Sequence, residues 1–152
     1  MKHSARRLRS DSADAAVLAM RNAQLPELQP PAHVPLRAGD EPFFRDVVRE
    51  RARDEWTEAT LAVAVELASV MRDRRDQQVL LDKEGWVVAG PSGMLRKNPR
   101  AEIVDQLSKR EMALMRTLRM GGRSLGATDK LEPRRNLERA ALELVHSESL
   151  LA

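Results

Sequence analysis

The chain has 152 residues, of which 32% are charged and 3% aromatic, with no cysteine and a net charge of +3. A chain of this size holds one modest core, and the absence of cysteine excludes a disulfide framework and thiolate chemistry. Few aromatics (Phe43, Phe44, Trp56 and Trp86, with no Tyr) and abundant Ala, Leu, Arg and Glu favour a helical protein over a β-sandwich.

Residues 1–9 carry Lys2, Arg6, Arg7 and Arg9 with no acid, and read as a flexible basic N-terminal arm. No apolar stretch follows to make a signal peptide, and no apolar run reaches the ~20 residues needed to cross a bilayer. The expectation is a soluble intracellular protein. Ser10 or Asp11 caps a short helix to Gln24, with Ala15, Ala16, Leu18, Ala19 and Met20 as a weak apolar stripe. Pro26, Pro30, Pro31 and Pro35 then make an extended linker up to Gly39. Asp40-Glu41-Pro42 opens a second helix, since proline is tolerated in a first turn where amide donors lack partners. Phe43, Phe44, Val47 and Val48 form its buried stripe, and Arg45, Arg49, Arg51 and Arg53 point outward.

Thr57 is a good N-cap, and Trp56 before it is placed to staple onto Leu61. The helix that follows runs to about Lys83 and is stopped by Gly85. From Thr57 to Met71 nearly every face is apolar, which is the pattern of a helix buried on all sides. Trp86 to Lys97, with Gly90-Pro91-Ser92-Gly93 in its middle, reads as a short β-like bend. Asn98-Pro99 restarts a helix in which Ile103, Val104, Leu107, Glu111, Leu114, Met115 and Leu118 recur at three- and four-residue intervals, until Gly121-Gly122. A last helix spans about Glu132 to Leu150. The fold class expected is all-α: a central antiparallel helical hairpin with a short β-like bend. The division expected is residues 1–39 as arm, short helix and linker, 40–122 as a helical oligomerisation core, and 123–152 as linker and C-terminal helix.

A two-helix hairpin covers only one side of the first long helix, so its other faces must meet the rest of the chain or further subunits. Leu61, Val65, Ala68, Met71, Leu107, Leu114 and Leu118 are the candidate assembly residues. Charge is localised as well. Residues 1–9 sum to +4, residues 96–119 hold seven bases and three acids (+4), and residues 41–84 hold eight bases and eleven acids (−3). Such blocks are an electrostatic footprint for nucleic acid. The arm cations Lys2, Arg6, Arg7 and Arg9 are the first candidates for DNA contact, with Arg96, Lys97 and Arg100 at the bend second.

Catalytic patterns are missing. Gly85 and Gly90 have the glycine spacing of a phosphate loop, but Pro91-Ser92 follows where Lys and Ser or Thr are required. His3, His33 and His146 have no metal-ligand spacing, and the carboxylates alternate with arginines as on exposed helices. No catalytic residue, cofactor or metal is expected.

Arg9-Ser10-Asp11-Ser12, Pro30-Pro31-Ala32-His33, Glu41-Pro42-Phe43-Phe44 and Trp56-Thr57 leading into Leu61 to Ala68 resemble the small terminase subunit of tailed double-stranded DNA phages, nearest to cohesive-end lambdoid phages. Asn98-Pro99-Arg100 with Ile103-Val104-Asp105 resembles related small-terminase families. The likeness covers residues 6–120. It implies a non-enzymatic subunit that forms a homo-oligomeric ring of about nine copies, binds double-stranded viral DNA and regulates the large terminase ATPase/nuclease in the host cytoplasm. The portal protein is a further candidate partner, and no membrane is involved. Many relatives carry an N-terminal helix-turn-helix module. Here residues 41–75 give helix, turn, helix, but the second helix starts apolar where a recognition helix would expose polar groups. That pair reads as a packed corner. The alternative function is a small dimeric helix-turn-helix regulator, and a third is a scaffold that binds only protein.

Overall fold

The computed structural model describes residues 12–91, 93–120 and 132–149. The elements are α1 (Ala13–Ala23), α2 (Glu41–Val48), a 3₁₀ turn (Arg53–Glu55), α3 (Glu58–Glu84), strands β1 (Val87–Ala89) and β2 (Leu95–Lys97), α4 (Pro99–Thr117) and α5 (Glu132–Ser149). They fall into two compact units. Among the described residues, one holds 12–29, 49–56 and 132–149, and the other holds 30–48, 57–91 and 93–120.

The second unit is built on the α3–α4 hairpin. A reciprocal cap starts α3: the Thr60 amide donates to the Thr57 hydroxyl (3.3 Å), and the Thr57 amide donates to the Thr60 hydroxyl (2.8 Å). Gly85 ends it at φ 86°, a backbone angle that glycine adopts without a Cβ clash, with its amide on the Leu81 carbonyl at 2.7 Å. The strands then pair antiparallel, Val87 opposite Lys97, Val88 opposite Arg96 and Ala89 opposite Leu95.

Asn98 joins the two helices. Its side-chain oxygen accepts from the Arg100 amide (2.9 Å) and caps α4. Its side-chain nitrogen donates back to the Gly85 carbonyl (2.9 Å) and Glu84 Oε2 (3.0 Å), at the end of α3. One amide thus caps one helix and ties off the other, and it is buried. Leu81, Ala101 and Val104 pack directly beneath as an apolar cluster.

α2 lies on α3 and buries Phe44, Val47 and Val48. The buried carboxylate of Asp40 sets its entry. Arg37 Nε donates to it at 2.8 Å, Ser69 Oγ at 2.6 Å and Arg72 Nη1 at 3.3 Å, while the Asp40 carbonyl accepts the Phe44 amide at 2.9 Å. Gly39 precedes it at φ 89°, where an added Cβ would sit 2.9 Å from the Arg72 guanidinium. The positive φ favours glycine there, and a Cβ would also press on the guanidinium that serves Asp40.

The second helix is shorter than its arginine pattern suggests. It stops at Val48, because residues 49–56 belong to the other unit. There Ala52 and Trp56 are buried, the Arg51 guanidinium lies 5.4 Å from the Trp56 ring centre, and Arg53 Nη1 donates to the Pro26 carbonyl at 2.6 Å. The same unit packs α1 against α5 through small residues, Ala15 and Ala19 on α1 and Ala141 on α5. Glu138 accepts from the Asn22 side chain and, at 2.8 Å, from the Arg53 amide. Arg134 pairs with Asp54 and Glu55, and Arg135 with Glu50.

Burial acts most strongly on Asp40 and raises its pKa, but the hydrogen bonds from Arg37, Ser69 and Arg72 together hold it below the ordinary carboxylate value. A depressed folded pKa contributes stability that is present above the unfolded value and lost as pH falls through the folded one. Asp40→Asn is expected to lower stability at neutral pH by about 2–3 kcal/mol, discounted from a fully buried pair because both arginines reach solvent. It should also flatten the loss of stability below about pH 4. Urea midpoints across pH check both, and a wild-type midpoint at neutral pH would contradict the role given to Asp40.

Candidate nucleic-acid interface

Duplex binding needs cations that are not already neutralised, so each candidate is placed by the partner it has. Lys2, Arg6, Arg7 and Arg9 lie outside the described residues. The helix that follows them, α1, is capped by Ser12, whose hydroxyl accepts the Ala15 amide at 3.2 Å.

At the bend, the three candidates fare differently. Arg100 is consumed by the fold: Nη2 and Nε donate to the two carboxylate oxygens of Glu84 at 2.8 and 2.9 Å, and Nη1 donates to Gln77. This two-pronged pairing with Arg100, helped by the Asn98 amide, lowers the Glu84 pKa to about 2 and raises that of Arg100. Lys97 is exposed and stands 3.7 Å from Asp105 on the first turns of α4. Arg96 is exposed, on the opposite face of its strand from Lys97, and has no carboxylate partner among the described residues. The structure therefore leaves Arg96 as the freest cation of the bend. Sequence spacing could not separate it from Arg100, because the partners of Arg100 lie 16 and 23 residues away.

The candidate assembly residues divide too. Val65, Ala68 and Leu118 are buried within the chain, and Leu61, Met71, Leu107 and Leu114 are half-buried. The apolar surface left in the open lies elsewhere in this unit. Trp86, Val87, Met94 and Leu95 at the bend are 54%, 55%, 74% and 76% exposed, with Val79, Leu80, Ile103 and Met112 also exposed on the helices. The pattern of α3 missed this because α2 covers faces that a bare hairpin would leave open.

Among the described residues no group of His, Cys, Asp or Glu is placed to hold a metal ion, and no helix is long and apolar enough to cross a membrane.

Comparison with known proteins agrees with the resemblance. A model of the Hendrixvirinae small terminase family matches residues 1–152. The terminase small subunit of Enterobacteria phage HK97 is 33% identical over 138 residues, covering 86% of this chain and 81% of that protein. The chain belongs to the Hendrixvirinae small terminase family.

Glu84 is expected to titrate with a midpoint near 2, seen by carboxyl-detected NMR. Arg100→Gln should move that midpoint up toward the ordinary value of 4.5. A midpoint that stays put in the variant would show that Arg100 does not hold the Glu84 carboxylate.

Proposed function

We propose that this small terminase works in phage DNA packaging as a homo-oligomeric ring, of about nine copies, that binds double-stranded viral DNA and recruits or regulates the large terminase. The observation that carries the reading is the family match along the whole chain. The subunit contributes no catalysis of its own and acts in the host cytoplasm, where the motor's ATPase and nuclease belong to the large subunit.

The surplus apolar surface of the hairpin unit supports self-assembly. Soluble monomers rarely keep Trp86, Val87, Met94 and Leu95 together in water. Burial at about 25 cal/mol per Å² favours covering them, and a closed ring does so for every copy alike. The geometry of α3 speaks against the regulator alternative. Leu61, Ala62 and Val63, near the N-terminal end where a recognition helix would offer polar groups to base edges, are apolar, and Ala64, Val65, Leu67 and Ala68 after them are buried in a single copy.

Mass tests the assembly. Native mass spectrometry of the full chain should give a complex well above a dimer, and Trp86→Ser with Leu95→Ser should shift it toward smaller species. A monodisperse monomer or dimer at micromolar concentration would end the ring reading. DNA contact by the arm is tested separately. Replacing Arg6, Arg7 and Arg9 with Ala should weaken duplex binding and reduce the salt slope by about 0.9 for each phosphate no longer neutralised. An unchanged slope would remove the arm from the interface.

A further inference from the structure

The block of positive charge at residues 96–119 is not spread evenly once its ion pairs are assigned. Over the first part, Lys97 faces Asp105 and Arg100 is held by Glu84. Over residues 106–119 there are four bases, Lys109, Arg110, Arg116 and Arg119, and one acid, Glu111. That acid points the other way: its carboxylate pairs with Arg74 of α3 and is largely buried. Arg110 reaches Glu66 at 3.7 Å. Lys109, Arg116 and Arg119 are exposed, with no carboxylate partner among the described residues.

Their placement is regular. Lys109 and Arg116 are seven residues apart, so they differ by about 20° around the helix and by about 10 Å along it. Exposed Met112 and Ala113 lie between them on the same face, and Arg119 follows just past the helix end at φ 54°. From Lys109 onward the column therefore holds cations separated by short or apolar side chains, and its nearest carboxylate, Asp105 one turn before Lys109, stands 3.7 Å from Lys97. Elsewhere in the unit Arg37, Arg45, Arg72, Arg74, Lys97 and Arg100 face carboxylates, and Arg75, Lys83 and Arg96, which have no carboxylate partner among the described residues, lie on other elements.

We infer that the outward face of the second half of α4, carrying Lys109 and Arg116, together with Arg119 just past its end, is a contact surface for the sugar–phosphate backbone of duplex DNA. Charge complementarity names the occupant. A reach of about 10 Å is long enough for the column to meet more than one phosphate of a strand. The neighbours Met112, Ala113 and Thr117 offer little to read a base edge, so the surface tracks phosphates and carries no sequence information. This deepens the proposed function and rests on it, since it says which surface of a DNA-binding small terminase holds the duplex.

The test uses the full chain and a mixed-sequence DNA duplex, with affinity measured across a salt titration. The variant Lys109→Gln/Arg116→Gln/Arg119→Gln removes the column. Arg21→Gln/Lys83→Gln/Arg139→Gln removes the same charge from other exposed positions and serves as control. The α4 variant should bind about tenfold or more weakly near 0.1 M salt, with a log–log salt slope smaller in magnitude by about 1 for each phosphate left without its cation. The weakening should be equal on unrelated sequences, and the control should keep the wild-type slope. Wild-type affinity and slope in the α4 variant would overturn the inference and leave an acidic protein surface as the occupant of this face. Equal weakening in both variants would also overturn it, since net charge alone would then be responsible. Failure of the unaltered chain to bind duplex even at low salt would instead overturn the DNA-binding reading itself.

Discussion

The bend between the two long helices depends on one buried amide. Asn98 accepts the Arg100 amide and donates to Gly85 and Glu84, so the last turn of α3 and the first turn of α4 share a single side chain. Both helix ends leave backbone groups without intrahelical partners, and burying such groups unpaired costs roughly 1–3 kcal/mol each. Asn98 meets the donor at one end and the acceptor at the other. Glu84, drawn in by the same amide, then captures Arg100. The pair sits where Leu81, Ala101 and Val104 close the apolar cluster, so polar closure and apolar packing fix the same hairpin geometry.

That clasp also decides which charges are left for other molecules. A cation bonded at two points to a carboxylate has little net field to offer a phosphate. By that criterion the bend loses Arg100 and the start of α2 loses Arg37 to Asp40, while Arg72 meets the same carboxylate at one point. The positive charge that remains in this unit lies on Arg75, Lys83 and Arg96, and along the later turns of α4. The +4 of residues 96–119 is thus uneven: Lys97 and Arg100 are spent on the fold, whereas Arg96 and the later turns of α4 face water.

Much of the hairpin unit was legible in local chemistry. Thr57 and Gly85 bracket α3 with a cap and a stop, and Asn98-Pro99 marks α4, because each signal acts within a few residues of the element it bounds. Asp40 also reads as a helix start, but its burial among Ser69, Arg37 and Arg72 does not, since two of those partners come from α3. The pairing of α1 with α5 is set by packing between residues more than a hundred positions apart, and no periodicity in either helix announces its mate. Residues 49–56 were illegible for a similar reason. Their alternation of arginine and acid looks like a solvated helix, whereas Glu50, Asp54 and Glu55 serve arginines of α5. The all-round apolar pattern of α3 was real, but α2 satisfies part of it within one copy.

The displaced apolar surplus bears on how assembly and DNA contact would coexist. Leu95 and Arg96 are adjacent on β2, so they project to opposite faces of the ribbon. A two-stranded ribbon of three-residue strands is not stable by itself in water, and here it is held from its base by the backbone N–H of Asn98 donating to the Trp86 carbonyl at 2.9 Å. Covering the Leu95 face against a neighbouring copy would stabilise the ribbon without burying Arg96. The α4 column lies on a different element from the ribbon. Repetition then changes the energetics of weak binding. A few neutralised phosphates per copy would give little affinity alone, but copies held on one frame would engage the same duplex at high effective concentration. Sequence-independent cations on each subunit are sufficient under that arrangement, and individually strong DNA-binding modules are not required.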